Sequence, residues 1–159
     1  MSDSIPSPRN HAATATTGPF PPLRFSSLVQ ADLIRRAVAG YPHEVCGLLI
    51  GKGTAAGVLV ERITEARNLR TDRLADRYVL DPDDFLAADS AARREGLEVV
   101  GIWHTHPDHP PTPSQTDLEA AWEGYSYVIL SVRRGDVADI RSWRLAGSRF
   151  AGQPIEEIS

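Results

Sequence analysis

The chain has 159 residues, of which 42% are hydrophobic and 24% charged, with a formal net charge of -4. That length suits one domain with a real core, and an acidic balance with scattered arginines argues against nucleic-acid binding, which needs clustered Lys and Arg. A single cysteine, Cys46, excludes an intrachain disulfide and a thiolate zinc cage and fits a reducing cytoplasm, while the sequence has neither the ~20-residue apolar stretch of a membrane span nor a secretory signal at its N-terminus.

Residues 1–24 are rich in Ser, Thr, Ala and Pro, with prolines at Pro6, Pro8, Pro19, Pro21 and Pro22. Such a segment buries too little apolar surface to offset its ordering and reads as a disordered arm. The domain is expected over 25–150, followed by a short, weakly ordered tail over 151–159. A first helix is expected from Ser27 to Ala39, where Ser27 and Gln30 have capping-box spacing and Val29, Leu33 and Ala37 recur at i+4. Gly40 and Pro42 end it.

The apolar run Cys46–Ile50 reads as a buried strand, followed by a second over Val58–Ile63 and a short third over Tyr78–Leu80. Asp81-Pro82-Asp83-Asp84 opens a helix, with an N-cap, a proline in the first turn and acids at the positive end of the dipole. It should reach Glu95 and stop at Gly96. Leu97–Trp103 is a buried strand that runs straight into His104-Thr105-His106. A proline-rich loop over Pro107–Pro113 then leads to a helix over Ser114–Glu123, with Leu118 and Trp122 on one face and Gly124 closing it. Tyr125–Val132 and Val137–Leu145 form a hairpin around Arg133-Arg134-Gly135-Asp136. The expected fold is α/β or α+β, a mixed central sheet flanked by helices.

The chemistry concentrates between His104 and Asp117. Residues two apart on a strand point to one face, so His104 and His106 can converge on one ion. Asp117 supplies a carboxylate, and the loop's four prolines (Pro107, Pro110, Pro111 and Pro113) stiffen the return of the chain to that ion. Three protein ligands leave a fourth position for water, the arrangement of a catalytic rather than a structural zinc site. Ser114, three residues before Asp117, shares its helix face. Helix capping accounts for Ser114 and Asp117 equally well, and the two roles are compatible. Glu44, just before the strand Cys46–Ile50, is placed near the end of the histidine strand by topology alone, and as an isolated residue reads as a solvated turn acid.

His-x-His, seven residues, Ser, two residues, Asp occurs here as His104, His106, Ser114 and Asp117, and upstream stands Glu44-Val45-Cys46-Gly47-Leu48-Leu49. In both segments the chain resembles the JAMM (MPN-plus) zinc metallopeptidases, particularly the small stand-alone prokaryotic members, over about residues 25–145. The resemblance implies a JAMM or cytidine-deaminase-like fold and one zinc ion per chain, held by His104, His106, Asp117 and a water. It further implies that Glu44 is the general base and that Ser114 helps to stabilise the oxyanion. The implied partner is a ubiquitin-like or sulfur-carrier protein with a flexible C-terminal tail, cleaved at a peptide or isopeptide bond.

Other readings of the same residues are weaker. Cys46 in an apolar run is expected to be a small buried side chain rather than a nucleophile, Trp103 a core residue, and His43, Asp108 and His109 exposed. A non-haem iron oxygenase can use two histidines and a carboxylate, but leaves Glu44 and Ser114 without roles. A zinc deaminase needs further cysteines. A non-catalytic scaffold of the same family is expected to lack the ligand residues, all of which are present. An exposed strand edge is compatible with dimers or with pairing to a substrate tail, and leaves the oligomeric state open.

Overall fold

The structure, a computed structural model, describes residues 20–70 and 78–159. Residues 1–19 of the expected arm lie outside that range. At its far end, Leu23 and Arg24 already belong to a strand, β1 (Leu23–Ser26). The chain continues through α1 (Ser27–Gly40), β2 (Cys46–Thr54), β3 (Gly57–Ala66), α2 (Pro82–Arg94), β4 (Glu98–Pro107), α3 (Gln115–Ala120), β5 (Ser126–Arg133), β6 (Asp136–Ala146), β7 (Arg149–Gln153) and β8 (Ile155–Ile158).

The strands form one eight-stranded mixed sheet in the order β7-β6-β5-β4-β2-β3-β1-β8. β4 sits inside it, parallel to β5 and antiparallel to β2. The two outermost strands, β7 and β8, are joined through Pro154 alone, so the sheet has to curl until its edges meet. At that corner Leu23 N–H donates to the Pro154 carbonyl at 2.8 Å, and Gln153 Nε2 donates to the Pro21 carbonyl at 2.8 Å. β8 pairs in parallel with β1, placing Leu23 opposite Ile155, and Ile155 packs against the core. The weakly ordered tail expected after Phe150 is therefore strand. Its alternation is too short and too acidic to show as a strand locally, and its pairing partner lies at the other end of the chain.

Helices cover both faces of the sheet. Leu33 and Ala37 of α1 join Phe25, Leu49, Val60, Trp103, Val128 and Leu130 in one apolar cluster. Phe85 and Ala92 of α2 join Cys46, Leu48, Ile50, Ile102 and Tyr127 in the other. The cap of α1 is Ser26 rather than Ser27, its hydroxyl accepting from Val29 N–H at 3.2 Å. α2 matches its expected start at Asp81, whose side chain accepts from Asp83 N–H, and Glu95 and Gly96 follow its last turn.

Two further expectations are corrected. α3 stops at Ala120, well short of Glu123, because Trp122 N–H donates to Tyr127 Oη at 2.7 Å and draws the chain out of the helix. Trp122 lies beyond the end of the helix and is exposed, so it does not form the helix face expected with Leu118. Among the described residues, the segment Tyr78–Leu80 makes one bridge, Asn68 to Leu80, instead of a strand. The hairpin β5–β6 forms as expected: Arg134 and Gly135 both have positive φ, 53° and 83°, the twist a two-residue turn requires. Among the described residues no helix is long and apolar enough to cross a membrane.

Candidate metal centre

β4 places its side chains by alternation. His104 and His106 project to one face, and Trp103 and Thr105 to the other. Trp103 is fully buried, and its indole N–H donates to the Thr64 carbonyl at 3.0 Å. Directly across the ladder stands Gly47. A Cβ there would lie 2.0 Å from the Thr64 oxygen and 2.4 Å from Trp103 Nε1, so only glycine lets the indole lie flat against β2. The ring thus anchors β4 immediately before the histidines.

The loop after β4 cannot satisfy itself, because its prolines carry no N–H. Three consecutive carbonyls are instead held from the sheet and from β4 itself. Ser131 Oγ donates to the His109 carbonyl at 2.6 Å, His106 Nδ1 lies 2.8 Å from the Pro110 carbonyl, and Trp143 Nε1 donates to the Pro111 carbonyl at 3.0 Å. A carbonyl can only accept, so Nδ1 of His106 carries the hydrogen and, in the neutral ring, Nε2 carries the lone pair.

The pinned loop delivers α3, whose first turn is a capping box. Ser114 Oγ accepts from Asp117 N–H at 3.0 Å, and Asp117 Oδ2 accepts from Ser114 N–H at 2.8 Å. The same Oδ2 lies 3.4 Å from His104 Nε2 and 3.4 Å from His106 Nε2, and the two ring nitrogens are 3.0 Å apart. A tetrahedral zinc ion with bonds of about 2.0–2.1 Å has ligand atoms roughly 3.3 Å apart, so this triangle has the size of one face of its coordination shell. The lone pair of His106 is turned towards a second ring nitrogen and a carboxylate oxygen, a donor set that suits a divalent cation.

All three side chains are buried. Burial lowers the basicity of His104, outweighing the attraction of Asp117. Burial also opposes charge on His106, but Asp117 and the Pro110 carbonyl hold its pKa above the usual value. Burial would raise the Asp117 carboxyl, yet the two imidazoles and the Ser114 N–H hold it well below the normal carboxylate range. Tyr78 stacks on the His104 ring with centroids 4.3 Å apart, and His104 Nδ1 has no hydrogen-bond partner among the described residues.

Glu44 reaches the site from outside the ladder, since β2 begins only at Cys46. Its carboxylate, His104 and His106 each offer a ligand atom, all within 4.8 Å of one another. Two links hold this stretch. Val45 N–H donates to Thr105 Oγ1 at 3.0 Å, and Thr105 N–H donates to the Val45 carbonyl at 3.0 Å. Asn68 Nδ2 donates to the Glu44 carbonyl at 3.3 Å.

The residues to which the sequence assigned a catalytic or ligand role thus lie in one place: Glu44, His104, His106, Ser114 and Asp117. Cys46 is buried, with its thiol against the Ala66 carbonyl at 3.6 Å. Asp108 is exposed as expected but also ties the site loop to the segment before β2, accepting from Tyr41 Oη at 3.0 Å. Sequence reasoning missed Asn68, Tyr78, Thr105, Ser131 and Trp143. Only Thr105 had a local signal, its place between the two histidines.

A curled mixed sheet on which two imidazoles and a carboxylate converge beside a second acid defines a protein with a candidate divalent-metal centre. Residues 26–146 match the family described as prokaryotic homologs of the JAB domain, and the chain belongs to that family. It is 39% identical to the desampylase of Haloferax volcanii over 79% of this chain and 83% of that one. It is 28% identical to the CysO-cysteine peptidase of Mycobacterium tuberculosis over 82% and 90%. The solution structure of protein DSY2949 from Desulfitobacterium hafniense superposes with a TM-score of 0.75 at 25% identity, covering 86% of this chain and 92% of that one.

Proposed function

We propose that this protein is a zinc metallopeptidase that hydrolyses the bond between the C-terminal tail of a ubiquitin-like or sulfur-carrier protein and the amine of a lysine, cysteine or peptide. The observation that carries this reading is the triangle of His104 Nε2, His106 Nε2 and Asp117 Oδ2, with edges of 3.0, 3.4 and 3.4 Å and Glu44 beside it. The conjugate substrate is supported by the relatives named desampylase and CysO-cysteine peptidase.

Asp117 is assigned as the third ligand in preference to Glu44. Its Oδ2 is close to both ring nitrogens, and one lone pair remains after the bond from Ser114 N–H. Zinc bound there would polarise the scissile carbonyl and acidify an attacking water. Glu44, left uncoordinated, accepts the proton of that water and returns it to the departing amine. Ser114 spends an acceptor lone pair on Asp117 N–H, which leaves its hydroxyl hydrogen for the developing oxyanion. A cytoplasmic setting is supported by the free thiol of Cys46.

The test is a pair of variants assayed on a ubiquitin-like protein ending in Gly-Gly and joined to cysteine. Glu44→Gln should keep zinc and lose turnover, whereas His106→Ala should lose both. Full turnover by Glu44→Gln would refute the base.

A further inference from the structure

We propose that Asn68 is a positioning residue for hydrolysis, acting through Glu44; this rests on the base role argued above. Glu44 stands two residues before the first ladder pair of β2, so the strand does not fix its backbone. Its carbonyl accepts from Asn68 Nδ2 at 3.3 Å. The opposite end of the same amide is occupied as well. Asn68 Oδ1 accepts from Arg70 N–H at 3.1 Å and from Val79 N–H at 3.0 Å.

These contacts leave no choice of orientation. Two backbone N–H groups need an oxygen and the Glu44 carbonyl needs a donor, so the amide must present Oδ1 to the former and Nδ2 to the latter. One side chain therefore ties the segment bearing Glu44 to the segment bearing Tyr78. Val79 follows Tyr78 directly, and Tyr78 lies on the ring of His104. Asn68 itself follows β3 and bridges to Leu80. Asn68 thus helps to set both the base and the ring stack, while Thr105 holds the neighbouring Val45 from the other side.

Asn68→Asp separates this role from a merely structural one. The carboxylate keeps the shape and still accepts from Arg70 and Val79, but turns an oxygen towards the Glu44 carbonyl. Assayed as the full zinc-loaded chain on a Gly-Gly-ended ubiquitin-like protein joined to cysteine, it should lose kcat by about tenfold or more, the range seen for groups that orient an active site. KM and zinc content should stay near the parent values, with Tm lowered by the few degrees that one lost part-buried hydrogen bond costs. Should N68D fail to fold, N68S, whose hydroxyl is too short to reach the Glu44 carbonyl, should show the same loss of kcat. In a Glu44→Gln background either Asn68 variant should add no further loss, because the residue it positions is already disabled.

Parental kcat in a folded Asn68 variant, a loss of zinc parallel to the loss of turnover, or full additivity with Glu44→Gln would each overturn the assignment. Full turnover by Glu44→Gln alone would instead sink the base role on which it rests, so the two failures are distinguishable.

Discussion

Thr105 and Val45 hold each other twice: the Thr105 hydroxyl accepts from Val45 N–H at 3.0 Å, and Thr105 N–H donates to the Val45 carbonyl at 3.0 Å. The residue between the two histidines therefore fixes the neighbour of Glu44. Sixty residues of sequence separate them, and the pair converts a strand alternation into a three-dimensional site.

Thr105→Val keeps the shape of that side chain and removes the acceptor. Val45 N–H loses its partner, which costs about 1–3 kcal/mol in chemical denaturation. Turnover should fall while zinc remains bound, since both imidazoles stay in place. Thr105→Ser should restore most of both. Equal activity in Thr105→Val and the parent would show that Glu44 is held by other means.

Trp143→Phe removes the N–H that holds the Pro111 carbonyl and leaves most of the ring. The expected effect is on the delivery of Asp117, so zinc should dissociate faster from this variant in a chelator competition, with Glu44 undisturbed. An unchanged release rate would detach Trp143 from the metal centre.

Gly47→Ala should be far more damaging than its single methyl suggests. The new Cβ would meet the Thr64 backbone oxygen at 2.0 Å, an atom fixed by the β2–β3 ladder, as well as the Trp103 indole. The cost should stand at the upper end of overpacking, about 3 kcal/mol or more, read as a lowered denaturation midpoint or loss of soluble protein.

The Cys46 thiol is pushed up to about 12 by burial, with the Glu44 carboxylate adding to the shift. The thiolate is the reactive form, so native protein at neutral pH should resist alkylating reagents that modify the unfolded chain at once. Cys46→Ala or Cys46→Ser should retain turnover; its loss with zinc and fold intact would return the thiol to the mechanism.

The candidate site was legible because its parts are local. His104 through Asp117 is one continuous segment, and strand alternation followed by a proline-stiffened return can be read without knowing the rest of the chain. Glu44 was placed by topology alone and given its role by the resemblance, since the pairing of β2 with β4 is what brings it near. What escaped was set by distant partners. β1 and β8 are four-residue strands that mean nothing apart, and they pair across almost the whole chain. The early end of α3 depends on a tyrosine hydroxyl of β5 that takes the N–H of Trp122. Asn68, Ser131 and Trp143 act through single hydrogen bonds to remote carbonyls, which leave no periodicity in a sequence.

The most direct measurement is the position of the ion in crystals of the zinc-loaded protein, located by anomalous diffraction at the zinc edge. The expected result is a single peak about 2.0–2.1 Å from Nε2 of His104 and Nε2 of His106, at a similar distance from Oδ2 of Asp117, with the Glu44 carboxylate beyond bonding range. A peak bonded to Glu44 in place of Asp117, or no peak between the two imidazoles in protein that still cleaves the conjugate, would contradict it.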